Sequence, residues 1–236
     1  MTDWQFEVHE RVTPAATPEA CFGRIVAQAR RLGFEFCTHC LRLPLPITRP
    51  RTTICSNYPP AWLARYGEKQ YIEIDPIIAY GMRSSAPLIW NDALFASVPE
   101  LWEDAKAHGL RHGWAQSRRD HEGIYSMLVL ARSEGAIDEA TLQRDSPRLQ
   151  WLTHVSHDAM KASGIDALQF PEVTLSAREV EVLRWTAEGK TSAEVADILR
   201  ISERTVNFHV NSAITKFGAS NKTSATVRAA VLGLLW

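Results

Sequence analysis

Between Tyr58 and Trp90 six aromatic side chains and one isolated acid stand close together: Tyr58, Trp62, Tyr66, Tyr71, Asp75, Tyr80 and Trp90. Aromatic rings with polar tips make good walls for a small, largely apolar ligand that carries a few hydrogen-bonding groups. The spacing of four puts Trp62 and Tyr66 on one face of a helix that begins near Pro59 or Pro60, with Tyr58 just upstream. The same residues would also serve as an aromatic core in which Asp75 only caps a helix. Composition alone leaves both readings open.

A second set of polar side chains is interleaved with an apolar stripe near the carboxy terminus. Val206, Val210, Ala213, Ile214 and Phe217 recur at helical spacing and anchor one face. The positions between them carry Arg204, Thr205, Asn207, His209, Asn211 and Lys216. Asn pairs bidentately with adenine edges, Thr and Lys suit phosphate, and His suits either, so this helix is built to meet nucleic acid. The plainer alternative is a small helical bundle with one polar face.

Other constellations are weaker. Cys37-Thr-His-Cys40 offers three metal-ligand types, but inside one strand they point to alternating faces, and no second cluster completes a tetrahedron. His154 and His157, three apart on a helix, read as solvated histidines. Ser126, in Tyr125-Ser-Met127, lacks the glycines of a nucleophile elbow, and no catalytic residue or metal site is assigned.

The elements that position these residues follow from local signals. Ser176 with Glu179, and Thr191 with Glu194, form two capping boxes fifteen residues apart. Val182, Leu183 and Thr186 mark the buried face of the first of these helices, and Val195, Ile198 and Leu199 that of the second. Ser202 caps a third helix running to about Phe217, and Thr223–Leu235 supplies a fourth whose apolar face carries Val227, Val231, Leu232 and Leu235. This is helix-turn-helix grammar. Upstream, Thr17-Pro18 starts a helix that Gly33 closes. Strands are predicted over 34–43, 52–57, 87–90, 114–119 and 124–132, and helices over 60–69, 77–82, 98–108 and 138–163. The expected fold class is α+β: an amino-terminal α/β/α sandwich with an antiparallel sheet, plus a carboxy-terminal all-α four-helix unit. The predicted boundaries are 1–163, a linker over 164–172, and 173–236.

The totals are compatible with this division. The chain has 236 residues, and 45% of them are hydrophobic, an ordinary content for a globular protein. No apolar run approaches the about 20 residues of a membrane helix, and Met1–Arg11 is too polar for a signal peptide. A cytoplasmic location with free thiols at Cys21, Cys37, Cys40 and Cys55 is therefore expected. The net charge of −1 does not advertise nucleic acid, yet residues 174–236 hold eight Lys and Arg against six Asp and Glu, so a local basic face is concealed in the sum.

Leu175-Ser-Ala-Arg-Glu179, Leu183, Trp185-Thr-Ala-Glu-Gly-Lys190, Ile201-Ser-Glu-Arg-Thr-Val-Asn-Phe-His209 and Asn221-Lys222 resemble the carboxy-terminal domain of the LuxR family of bacterial transcription regulators. Asn57-Tyr58, Trp62, Tyr66, Tyr71, Asp75-Pro76, Trp90, Trp102, Gly109 and Gly113 are similar, in order and spacing, to the acyl-homoserine-lactone-binding domain of the family's quorum-sensing receptors. The resemblance implies a homodimeric transcription factor that binds an acyl-homoserine lactone, with a long acyl chain, and inverted-repeat promoter DNA. RNA polymerase would be a further partner, and no cofactor is implied. Trp62 would donate to the lactone carbonyl, Asp75 would accept from the ligand amide, and Tyr58 and Ser126 would donate to the amide carbonyl. Tyr66, Trp90, Trp102 and Leu110 would line the pocket, Ile54, Ile78 and Met82 would follow the acyl chain, and Arg42 and Ser56 would serve a 3-oxo group. Where many relatives carry Thr or Ser two residues after the acid, this chain has Ile77. A lactone hydrolase, or a response regulator bearing the same reading head, is the alternative from another class.

Overall fold

Side chains from Phe36 to Arg42 alternate between half-buried and buried, as a strand covered on both faces requires. This strand, β1 (Phe36–Arg42), lies inside a sheet with β2 (Thr52–Ser56), β3 (Leu88–Ile89), β4 (His112–Arg119) and β5 (Tyr125–Arg132). The order is β2-β1-β5-β4-β3 and every pairing is antiparallel. The computed structural model describes residues 3–13, 15–164 and 173–236.

The sheet separates two apolar layers. On one face Cys37, Trp114, Leu128 and Leu130 pack with Ile25 and Ala29 of α2 (Pro18–Arg31) and with Leu152, Val155 and Ala159 of α6 (Glu139–Gly164). On the other, Ala115, Met127, Val129 and Ala131 pack with residues of α3 (Pro60–Glu68), α4 (Pro76–Gly81) and α5 (Pro99–Ala107) and of a 3-10 turn at Tyr71–Glu73. This is the α/β/α sandwich read from the sequence. One helix was not expected: the polar stretch at the amino terminus forms α1 (Asp3–Val12), which contributes Val12 to the first layer and accepts Trp151 Nε1 at the Gln5 carbonyl, 3.0 Å away. With Val12 its one buried residue, α1 leaves almost no periodic signal.

Helices α7 (Ala177–Ala187), α8 (Ser192–Leu199), α9 (Glu203–Phe217) and α10 (Lys222–Val231) belong to a second compact unit that also takes in the segments Leu43–Arg51 and Asp120–Ile124. Both predicted capping boxes are present, Ser176 with Glu179 and Thr191 with Glu194. Ser202 and Asn221 cap α9 and α10. Two details differ from the periodicity. Ile198 and Val227 stay exposed, and the buried face of α10 is made by Ala225, Thr226 and Ala229, because small residues let α10 lie close against α7 and α9. Helix α6 runs to Gly164, and the rest of the expected linker lies outside the described residues.

Candidate functional site

Helix α3 presents Trp62 and Tyr66 one turn apart, and their rings meet edge to face at 5.5 Å. Tyr71 stacks on Trp62 at 6.1 Å. The group is fastened from behind, because Asp104 of α5 accepts from both Arg65 Nε and Tyr71 OH at 2.6 Å. These bonds hold the Asp104 carboxyl below its usual range, Tyr71 first and Arg65 second. Trp90 rests over Gly113, where even a β-carbon would fall 2.0 Å from the indole, so this close approach demands glycine. Trp102 stacks on Phe95 at 4.4 Å and donates its indole N–H to Asp92, 2.7 Å away. Leu110 is fully buried in the same layer, with Ile78 at its margin.

Asp75 is 8% exposed and does two jobs in this cluster. Oδ1 accepts from Ile77 N at 2.8 Å and so caps α4, while Oδ2 accepts from Tyr66 OH at 2.9 Å. Burial pushes its carboxyl above the usual range, against the pull of these hydrogen bonds. Nearby, the Tyr58 hydroxyl and the Trp90 indole N–H are buried with no hydrogen-bond partner. A buried donor without an acceptor costs about 1–3 kcal/mol, and each of these two is free to meet an acceptor from outside the chain. Ser56 Oγ lies 2.7 Å from Thr38 Oγ1, its cross-strand neighbour on the same face. Arg42, Ile54 and Met82 stand further out; Arg42 Nη1 lies 3.9 Å from Met82 Sδ, and Ile54 and Met82 are largely exposed.

Ser126 does not join this group. It pairs with Leu41 across β1 and β5, and residues in that register face α6 and not α3. Its hydroxyl lies 2.7 Å from His157 Nδ1, and both residues have no exposed surface. The reading of Ser126 as a ligand donor is therefore corrected by one step of strand alternation. The reading of His157 as solvated is corrected too, because α6 is sandwiched between the sheet and α1 and α2. A serine and histidine at hydrogen-bond distance have the look of a nucleophile and base, but no substrate reaches a fully buried pair. His39, the cross-strand neighbour of Leu128, is also fully buried, and both its ring nitrogens lack partners. Cys37 and His39 face the α6 side while Cys40 faces the other, and no group of three metal-ligand side chains exists among the described residues.

In the helical unit, Val206, Val210, Ala213 and Phe217 hold α9 against its neighbours and leave Arg204, Asn207 and Asn211 exposed. Ser192 Oγ donates to Asn207 Oδ1 at 2.8 Å, which sets the amide from α8. Thr205 is half-buried with its hydroxyl 2.8 Å from Ser202 Oγ, and His209 is half-buried beside Phe208. Phe208, which the sequence reading passed over, is 67% exposed in the middle of this polar face. It follows Arg204 by four residues and precedes Asn211 by three, so it shares their face. Lys216 is drawn elsewhere: its Nζ donates to Glu179 Oε2 at 2.7 Å and to the Thr174 carbonyl at 3.0 Å. Glu179 is buried, which alone would raise its carboxyl. The hydrogen bonds from Lys216, Ser212 and Ser176 outweigh that and hold it at about 2.

Comparison with known proteins assigns these two regions. Residues 17–160 match the autoinducer binding domain, and residues 173–229 match the bacterial regulatory proteins of the luxR family. The chain belongs to the LuxR family. Among LuxR relatives, the transcriptional activator AnoR of Acinetobacter nosocomialis is 39% identical over the full length of both chains. The quorum-sensing regulator RhlR of Pseudomonas aeruginosa is 37% identical over 98% of this chain and 96% of its own. The crystal structure of Escherichia coli SdiA superposes with a TM-score of 0.82 at 37% identity, covering 99% of this chain and 98% of that one. SdiA in complex with octanoyl-rac-glycerol superposes at 0.80. This LuxR-family chain is thus a signal-responsive transcription factor with an autoinducer-binding and a DNA-binding part, and its relatives are regulators rather than enzymes. No described helix is long and apolar enough to cross a membrane.

Proposed function

We propose that the layer between the sheet and α3–α5 binds an acyl-homoserine lactone, and that a homodimer of the chain then occupies inverted-repeat promoter DNA. The observation that carries the reading is the Tyr58 hydroxyl, buried without a partner beside a wall of aromatics and the acceptor Asp75. An amide supplies what both lack: its carbonyl accepts from Tyr58 and its N–H donates to Asp75, whose second lone pairs remain available. Trp62 donates to the lactone carbonyl, and Tyr66, Trp90, Trp102 and Leu110 enclose the head group. The acyl chain runs past Ile78 toward Ile54 and Met82, where the exposed apolar surface favours a long chain. Arg42 and Ser56 serve a 3-oxo group there. Ser126 has no part in this pocket.

In the same reading the chain divides into a signal-binding and dimerising domain over 1–163, a linker over 164–172, and a reading head over 173–236. It works in the cytoplasm with RNA polymerase. Arg204, Asn207, Phe208 and Asn211 meet the major groove, Thr205 and His209 border it, and Lys216 braces α7 through Glu179. Two-fold symmetry requires half-sites about one helical turn, or a multiple, apart. The test of the pocket is thermal: ligand at a hundred times its Kd stabilises the folded state by about 2.7 kcal/mol. A melting temperature that saturating long-chain lactone leaves unchanged would remove the proposal.

A further inference from the structure

Strand β4 outlasts its neighbour. Its pairing with β3 stops at Ala115, so residues 116–119 have no strand beside them on that edge. The loop at Ser84–Ser85 is stitched to this free edge by Gln116 Nε2 donating to the Ser85 carbonyl at 2.9 Å and Ser117 Oγ donating to the Ser84 carbonyl at 2.7 Å. Between this edge and α6 lies a cavity of about 350 Å³, lined by Gln116, Arg118, Arg119, Gln150, Thr153 and His154 together with the serines. Gln116 and Arg118 are in register with Leu128 and Ser126, so their side chains lie on the α6 face, away from the aromatic layer.

The lining holds a matched pair of unmet needs. Gln116 Oε1 is a buried acceptor without a donor, and Arg118 Nε is a buried donor without an acceptor. They are two residues apart on one strand face. The other Arg118 nitrogens are engaged: Nη1 contacts His154 Nδ1, and Nη2 lies 3.9 Å from Asp158 Oδ1. Burial first, and the Arg118 charge second, lower the His154 pKa, so its ring faces the guanidinium uncharged. Among the described residues no carboxylate pairs with Arg119, whose guanidinium lies over the Tyr125 ring at 5.9 Å. Arg119 is in register with Tyr125, which puts its guanidinium on the aromatic side of the sheet, so Arg118 is the guanidinium that faces the cavity, with the exposed carboxylate of Asp158 beside it.

We infer that this cavity is a second small-molecule site, for a compact oxyanion that also bears a hydroxyl group. The anionic oxygen accepts from Arg118 Nε–H, a charge-assisted bond, and the hydroxyl donates to Gln116 Oε1, so each orphaned atom finds its complement. The volume admits a molecule of this size with room to spare. The site lies on the opposite face of the sheet from the aromatic layer and is independent of what that layer binds.

The full-length protein is titrated with L-lactate and with glycerol 3-phosphate, against propionate and sodium chloride at equal ionic strength. Trp151 stacks on His154 at 5.1 Å and reports occupancy as a fluorescence change that Trp151→Phe removes. Saturable binding of lactate, of glycerol 3-phosphate or of both is expected, and which of them saturates tells carboxylate from phosphate. Arg118→Gln should weaken it at least tenfold. Gln116→Leu, which leaves the guanidinium in place, should erase the advantage of lactate over propionate. The inference is overturned if neither probe gives a saturable response. It is equally overturned if propionate or chloride reproduces the response, or if Arg118→Gln leaves it intact.

Discussion

Replacing Asp75 by Asn separates its two roles. The cap needs one oxygen facing Ile77 N at 2.8 Å, and the side-chain carbonyl of Asn supplies it, Asn being as good a helix cap as Asp. The remaining amide NH2 then faces Tyr66 OH, whose hydroxyl turns to accept. Stability should therefore change by less than about 1 kcal/mol. Asp75→Ala, in contrast, loses the cap (about 0.5–2 kcal/mol) and orphans the Tyr66 hydroxyl (about 1–3 kcal/mol), and so costs about 1.5–5 kcal/mol before any ligand is added. Binding reverses the comparison. In the Asp75→Asn variant a ligand amide N–H meets a donor, and losing a hydrogen bond to a charged acceptor costs about 1.5–3 kcal/mol, or about 10- to 150-fold in Kd. Urea unfolding and calorimetric titration with a long-chain acyl-homoserine lactone measure the two quantities on the same sample. Wild-type affinity in Asp75→Asn would show that Asp75 is a helix cap and nothing more.

Tyr58→Phe removes a buried hydroxyl that has no partner in the free protein, so stability should hold or rise while lactone binding weakens by about 0.5–1.5 kcal/mol; a parallel loss of both would show the hydroxyl to be structural. Acid should unfold the amino-terminal unit through His39. Burial first, and the neighbouring His157 second, depress its pKa to about 3, whereas in the unfolded chain it takes up a proton near 6.5. Stability is then complete above pH 6.5 and falls toward pH 3 by about 1.4 kcal/mol per pH unit for this one proton, a slope that His39→Leu should flatten. Asn207→Ala and Phe208→Ala should each lose about 1–3 kcal/mol of discrimination between a specific and a scrambled duplex, whereas Arg204→Ala should weaken both alike and reduce the salt dependence if it meets phosphate. Equal ratios in all three variants would move the reading surface off α9.

What the sequence disclosed was local chemistry. Thr17, Asp75, Ser176, Thr191 and Ser202 each accept from a backbone N–H at a helix start, because capping is decided within four residues, whereas the last helix, read as starting at Thr223, starts at Lys222 behind an Asn221 cap. The aromatic layer was legible for a similar reason: Trp62 and Tyr66 are one turn apart on a helix. What escaped was decided by partners distant in the chain. Ser126 and Met127 are adjacent in sequence but face opposite layers, and β5 is buried on both sides, so no hydrophobic alternation betrays which face Ser126 takes. Lys216 reads as a phosphate contact until Glu179, thirty-seven residues earlier, is seen buried beneath it. His157 reads as a surface residue until α1, itself almost silent in the sequence, covers α6. Phe208 lies off the apolar stripe, two residues from both Val206 and Val210, so its exposure follows from the same spacing that exposes Asn207 and Asn211.

The most direct test is equilibrium titration of the full-length protein with acyl-homoserine lactones of increasing chain length, followed by recovery of the bound molecule. Saturation at one lactone per chain is predicted, tightening toward the longer chains, with the ring recovered intact. Absence of binding across the whole series, or recovery of ring-opened product, would contradict the assignment of the aromatic layer as the signal site.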